Sequence, residues 1–80
     1  MRLLYKSQAI KQLKKLPLVE KKKIIRKLEL LPQDSYAGKA LKGELGGLYS
    51  LRVWPYRIIY EITGNSIIIL SVCHRQSAYK

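Results

Sequence analysis

Apolar positions in this chain change period along its length, and each change marks a boundary between elements. Leu3 to Tyr5 is a short apolar start that predicts an edge strand. From Ser7, an acceptable N-cap, Ala9, Ile10, Leu13 and Leu16 recur at helical spacing, with Lys11, Gln12, Lys14 and Lys15 on the other side. Pro17 divides this helix from a second, running from about Leu18 to Leu31, whose Val19, Ile24, Ile25, Leu28 and Leu31 are expected to face inward. Two helices with almost no linker make a helical hairpin. Because each carries one apolar stripe, the pair needs a sheet to cover.

Pro32 stops the second helix, and Gln33 to Gly47 reads as a polar, glycine-bearing connection. Period two then takes over. Leu48 to Val53 alternates, Trp54-Pro55 makes a tight turn, and Tyr56 to Thr63 returns. Gly64-Asn65 turns the chain again, and the continuous apolar run in Ile67 to His74 predicts a strand buried on both faces. The expected fold is α+β, one domain over residues 1–80: an N-terminal strand, a two-helix hairpin, then a three-stranded antiparallel meander with the helices on one face. Strict alternation places Tyr56, Ile58 and Tyr60 opposite Arg57, Ile59 and Glu61, and sets Ile69, Ser71, Cys73 and Arg75 opposite Ile68, Leu70, Val72 and His74. The open face is expected to expose Ser50, Arg52, Arg57, Glu61, Ser71 and Arg75.

Charge turns this frame toward anionic partners. Sixteen Lys plus Arg stand against five Asp plus Glu, a formal +11 in 80 residues, while 48% hydrophobic content excludes a disordered basic tail. A chain this short leaves no room for a second domain around a deep cofactor cavity. The run Ile67 to Leu70 is too short to span a bilayer, and Met1 to Leu4 lacks the features of a signal peptide, so no membrane is expected and the expected location is cytoplasmic. One cysteine and one histidine exclude a disulfide framework and an internal zinc site, and the scattered carboxylates exclude a two-metal centre. No metal or cofactor is expected.

The chemistry left is that of cations, aromatics and one imidazole. Arginines near the ends of adjacent strands, Arg52, Arg57 and Arg75, can hold a phosphate and stabilise a pentavalent phosphoryl intermediate, or merely solvate an open sheet. Trp54, Tyr56 and Tyr79 lie close to them and can stack on splayed bases, or serve as core. His74 is a candidate general acid or a structural residue turned toward the helices. Metal-independent cleavage of RNA needs an activated 2′-hydroxyl, charge stabilisation and a proton for the leaving oxygen, which such a set can supply. Lys11, Lys14, Lys15, Lys21, Lys22 and Lys23 on the helices, with Lys39, are candidate contacts to RNA phosphates, against a bland role in solubility.

The stretch from Leu41 to Val53, then Tyr56-Arg57-Ile58-Ile59-Tyr60-Glu61-Ile62, then Val72-Cys73-His74-Arg75 and Tyr79, together with Leu13-Lys14-Lys15-Leu16-Pro17, resembles the RelE/ParE superfamily of toxins, on its RelE-like side. The resemblance implies a toxin of a type II toxin–antitoxin system that cleaves mRNA in the ribosomal A site and is held inactive by a RelB-like antitoxin. It maps phosphate stabilisation onto Arg57 and Arg75, a stacking or proton-transfer role onto Tyr79, and one of two basic positions of the first meander strand onto Arg52. The other falls on Ser50, which carries no charge, and Lys39 stands where some relatives have a glutamate base. Tyr79, His74 or ribosomal RNA is then expected to supply the proton chemistry. The alternatives are a ParE-like inhibitor of DNA gyrase and a catalytically weak homologue that acts mainly by binding its antitoxin.

Overall fold

The computed structural model describes residues 2–34, 37–41 and 46–74. In chain order the elements are β1 (Arg2–Tyr5), α1 (Ser7–Lys14), α2 (Leu18–Leu28), β2 (Lys39–Ala40), β3 (Leu48–Val53), β4 (Tyr56–Thr63) and β5 (Ser66–His74). They form one five-stranded sheet in the order β1-β5-β4-β3-β2. The meander β3-β4-β5 is antiparallel as its turns require, and β1 adds to the far side of β5 in parallel, Leu3 opposite Ile67 and Tyr5 opposite Ile69.

Both helices lie on one face of this sheet because their apolar stripes match it. Ala9 and Leu13 of α1, Ile24 and Leu28 of α2, and Leu31 just beyond it pack with Val53, Ile58, Tyr60, Ile67, Ile69 and Val72 into a single core. Pro17 is the N-cap of α2, and Glu20 in the first turn with Arg26 and Lys27 in the last complements the helix dipole.

Several sequence expectations are corrected. Ser7 is the first residue of α1 rather than its cap; Lys6 holds the cap position, without a side-chain cap bond. The second helix ends at Leu28, and residues 29–34 continue as tight turns with N–H groups bonded mostly three residues back, which still carries Leu31 into the core. Val19 does not face inward: it is 76% exposed, since Ile24 and Leu28 set the buried face and Val19 lies across the helix from them. The connection before β3 is not wholly irregular, because Lys39 and Ala40 pair with Ser50 and Tyr49 as a sheet-edge strand.

The parity of β5 is also corrected. A register shift sets Ile59 opposite Ser71 but Tyr60 opposite Ile69, so Leu70 is the extra residue of a β-bulge. Ile67 and Ile69 therefore share the helix-covered face with Val72, and β5 is not equally buried on both sides: Ile68 and Leu70 are only half-buried. Ser50, expected to be exposed, is 5% exposed although it lies on the face away from the helices.

Candidate functional site

Antiparallel partners directly opposite one another put their side chains on the same side of the sheet. Arg52 pairs with Arg57, and Arg57 pairs with Cys73, so these three form one transverse row on the face away from the helices. The neighbouring row runs Lys39, Ser50, Ile59 and Ser71. Cys73 is half-buried, and its Sγ lies 3.7 Å from Ser71 Oγ, tying the two rows at β5. Arg52 is exposed and Arg57 half-buried. Two arginines at directly opposite register positions on one face can both reach an anion held between them. The chemistry the row supports is therefore the holding of a phosphate and the neutralisation of charge that builds on it.

Tyr56 and His74 lie elsewhere. They pair with each other, and Tyr56 with Val53, on the helix-covered side of the sheet at the same end. Their rings meet edge to face, with centroids 5.8 Å apart at 83°. Tyr56 is packed against the core, whereas His74 is exposed. The sequence neighbours Tyr56 and Arg57 are thus split across the sheet by strand alternation, and His74 is on the side opposite the arginine row. Arg75 and Tyr79 lie outside the described residues.

The helix lysines form a separate surface. Since the helices cover one face of the sheet, the exposed cations Lys11 and Lys14 of α1, Lys15 at its C-cap, and Lys22 and Lys23 of α2 lie on the side of the sheet away from Arg52 and Arg57. Lys21 is half-buried and lines a shallow, mainly apolar concavity of about 270 Å³ with Tyr5, Ile10, Leu13, Lys14 and Ile25. Lys23 Nζ donates to the carbonyl of Trp54 at 2.8 Å, which brings α2 up to the β3–β4 turn. Lys39, on β2, lies in the row beside the arginines.

A tyrosine lock, not visible in the hydropathy pattern, positions β2. Tyr60 is fully buried, its ring stacks on Tyr49 with centroids 5.4 Å apart, and its hydroxyl accepts the Gly38 N–H at 3.0 Å. Burial raises the Tyr60 phenol above its ordinary value, opposed by the Gly38 bond and assisted by Tyr49 and Asp34. Burial also raises Tyr5, with the Glu29 carboxylate adding to it. Among the described residues no His, Cys, Asp and Glu cluster could hold a metal, and no helix is long and apolar enough to cross a membrane.

Comparison with known proteins bears on this geometry. The family model described as the ParE toxin of the type II toxin–antitoxin system parDE matches residues 3–79. Among solved structures, a chain of the RelB–RelE antitoxin–toxin complex from Methanococcus jannaschii is 31% identical, with 95% of this chain and 94% of that chain covered and a TM-score of 0.77. A chain of the RelBE2 toxin–antitoxin complex from Mycobacterium tuberculosis is 29% identical, with 92% and 96% covered and a TM-score of 0.82. A chain of the chromosomal ParDE system of P. aeruginosa, 20% identical with a TM-score of 0.77, shares the fold. No curated protein sequence matches the chain.

Proposed function

Because the chain belongs to the RelE/ParE superfamily of type II toxin–antitoxin toxins, we propose that it is the RelE-like kind, a ribosome-dependent, metal-independent endoribonuclease that cuts mRNA in the A site. The observation that carries this reading is the Arg52–Arg57 pair, opposed in register on the face of the sheet away from the helices with Lys39 in the next row.

The chemistry follows from what such a row does. The 2′-oxygen of the nucleotide before the cut attacks the adjacent phosphorus as the bond from phosphorus to the 5′-oxygen breaks, leaving a cyclic phosphate and a 5′-hydroxyl. Negative charge builds on the non-bridging oxygens, where Arg52 and Arg57 stabilise it more in the transition state than in the ground state. The attacking hydroxyl gives up one proton and the leaving oxygen takes one. Arg75 and Tyr79, which follow β5 in sequence, join this set in the proposal, with Tyr79, His74 or ribosomal RNA moving the protons. His74 acts from the far side of the sheet only if RNA wraps that end. Lys11, Lys14, Lys15, Lys21, Lys22, Lys23 and Lys39 contact RNA backbone and Tyr56 lends an aromatic edge. A RelB-like antitoxin with an acidic segment is the resting partner, and the site of action is the cytoplasm.

A second reading is favoured by the description of the matching family model, which is that of ParE: inhibition of DNA gyrase by protein contact, without cleavage. One experiment separates them. End-labelled mRNA on ribosomes with an open A site is expected to be cut only when the ribosome is present. Intact mRNA together with blocked gyrase supercoiling would reverse the assignment.

A further inference from the structure

Among the described residues Glu61 is the only acidic side chain in a strand, and the reaction proposed above makes no use of it. It stands on the face away from the helices, four residues along β4 from Arg57, with Ile59 between them on the same side. At the rise of a β-strand the two are roughly 13 Å apart, too far for a direct ion pair. The cross-strand partners of Glu61 are Leu48 on one side and Ile68 on the other, and Leu4 lies beyond Ile68. Leu48, Ile59 and Ile68 are half-buried and Leu4 is 41% exposed, so this part of the face is an apolar floor. Glu61 is itself half-buried there, and among the described residues its carboxylate has no hydrogen-bond or ion-pair partner. In a chain with sixteen Lys and Arg, a carboxylate set among aliphatic side chains is unexpected.

We propose that Glu61 reads one base of the RNA strand held at the arginine row, accepting the two N–H groups on the Watson–Crick edge of a guanine laid on the floor of Leu48, Ile59 and Ile68. The inference rests on RNA lying along the arginine row, as proposed above, and adds the base that is selected. An ionised carboxylate only accepts hydrogen bonds. Guanine presents two adjacent donors, N1–H and N2–H, which match its two oxygens. Cytosine and adenine set one amino donor beside a ring acceptor, and the single N–H of uracil lies between two carbonyls that the carboxylate repels. The two ends of the face then divide the labour. Arg52 and Arg57 take the phosphate, which every nucleotide carries, and Glu61 takes the base edge, which tells nucleotides apart. A negative charge near phosphates weakens the binding of every sequence, so its place here is explained by selectivity and not by affinity.

The test compares the parent with Glu61→Gln, which keeps the size and loses the charge, and with Glu29→Gln, which makes the same charge change on the helix side. One arm measures binding of short labelled single-stranded RNAs, made of uridine alone or with a guanine among the uridines. The parent is expected to favour the guanine strand about tenfold. Glu61→Gln is expected to lose most of that advantage and to bind the uridine strand at least as tightly, whereas Glu29→Gln keeps the advantage. The other arm maps cuts on ribosome-bound mRNAs that carry each base in turn at each A-site position. One position is expected to favour guanine in the parent and to lose that preference in Glu61→Gln. A parent that favours neither strand would overturn the proposal, as would an advantage that survives in Glu61→Gln or falls equally in Glu29→Gln. Cuts with the same base preference in parent and Glu61→Gln would overturn it likewise. Intact mRNA together with a Glu61-dependent guanine advantage in binding sinks the nuclease reading alone and leaves the base reading in place.

Discussion

The side-chain carbonyl of Gln12 accepts the backbone N–H of Val72 at 2.6 Å, tying α1 to β5 where β5 has passed the end of β1. Beyond Ile69 no strand among the described residues pairs with β5 on that side, and the glutamine takes the place of a neighbouring strand at one donor. Gln12→Ala leaves that part-buried N–H without its acceptor and is expected to cost about 1–3 kcal/mol. For a domain of this size thermal unfolding should then fall by roughly 4–8 °C per kcal/mol. Gln12→Glu keeps an acceptor and should lose less; equal losses in both variants would count against the bond.

Gly38 has no room for a side chain. A Cβ there would lie 2.7 Å from the Tyr60 hydroxyl, 2.8 Å from its ring and 3.0 Å from the Ser50 carbonyl. Gly38→Ala is expected to cost about 1–3 kcal/mol in urea unfolding through overpacking. Tyr60→Phe removes one contact and the bond to Gly38, so the double variant should be less destabilised than the sum of the singles.

The same tyrosine predicts an alkaline limit. A raised phenol pKa means the folded protein keeps the proton to a higher pH than the unfolded chain does. Below the unfolded value of about 10 both states are neutral and stability is unaffected by this group. Above it the unfolded chain ionises first, and stability falls until the folded pKa is passed. The urea midpoint should therefore decline more steeply above pH 10 in the parent than in Tyr5→Phe/Tyr60→Phe, a comparison in which lysine titration is common to both.

Arg57→Ala is expected to reduce ribosome-stimulated cleavage about 10²–10³-fold, the effect of losing one preorganised donor at a developing charge. Arg57 is only half-buried and lies outside the packed core, so the same change should leave the protein folded, as its unfolding temperature would show. Lost cleavage with a marked fall in unfolding temperature would instead indict folding.

Much of the fold was legible because period is a local property. The switch from Ala9, Leu13, Ile24 and Leu28 to the alternation of β3 and β4 located the helices, the meander and the covered face. Parity could not survive an inserted residue: Leu70 resets the count, so Ile69 joins Val72 rather than Ser71. Gln12 was grouped with the lysines because hydropathy ranks it polar, and its bond to the Val72 N–H, past the end of the β1 pairing, is what turns it inward. Of the candidate site, alternation put Arg52 and Arg57 on one face, and register then made them direct neighbours. The separation of Tyr56 and His74 from them follows from the same alternation. Lys21, Lys22 and Lys23 were legible only as cations on a helix; the bond from Lys23 to the Trp54 carbonyl depends on how α2 lies against the β3–β4 turn, a long-range contact that no local pattern encodes.

The pairing of β1 with β5 also constrains how the protein is made. Residues 2–5 find their partners at 66–69, and α1 leans on the same strand through Gln12. The first segments to leave the ribosome must therefore wait, unpaired, for β5, and long-range pairing of this kind is slow to form. A chain interrupted before β5 lacks a partner for both β1 and α1. During synthesis the toxin is thus kept from its finished shape until nearly all of its sheet has emerged.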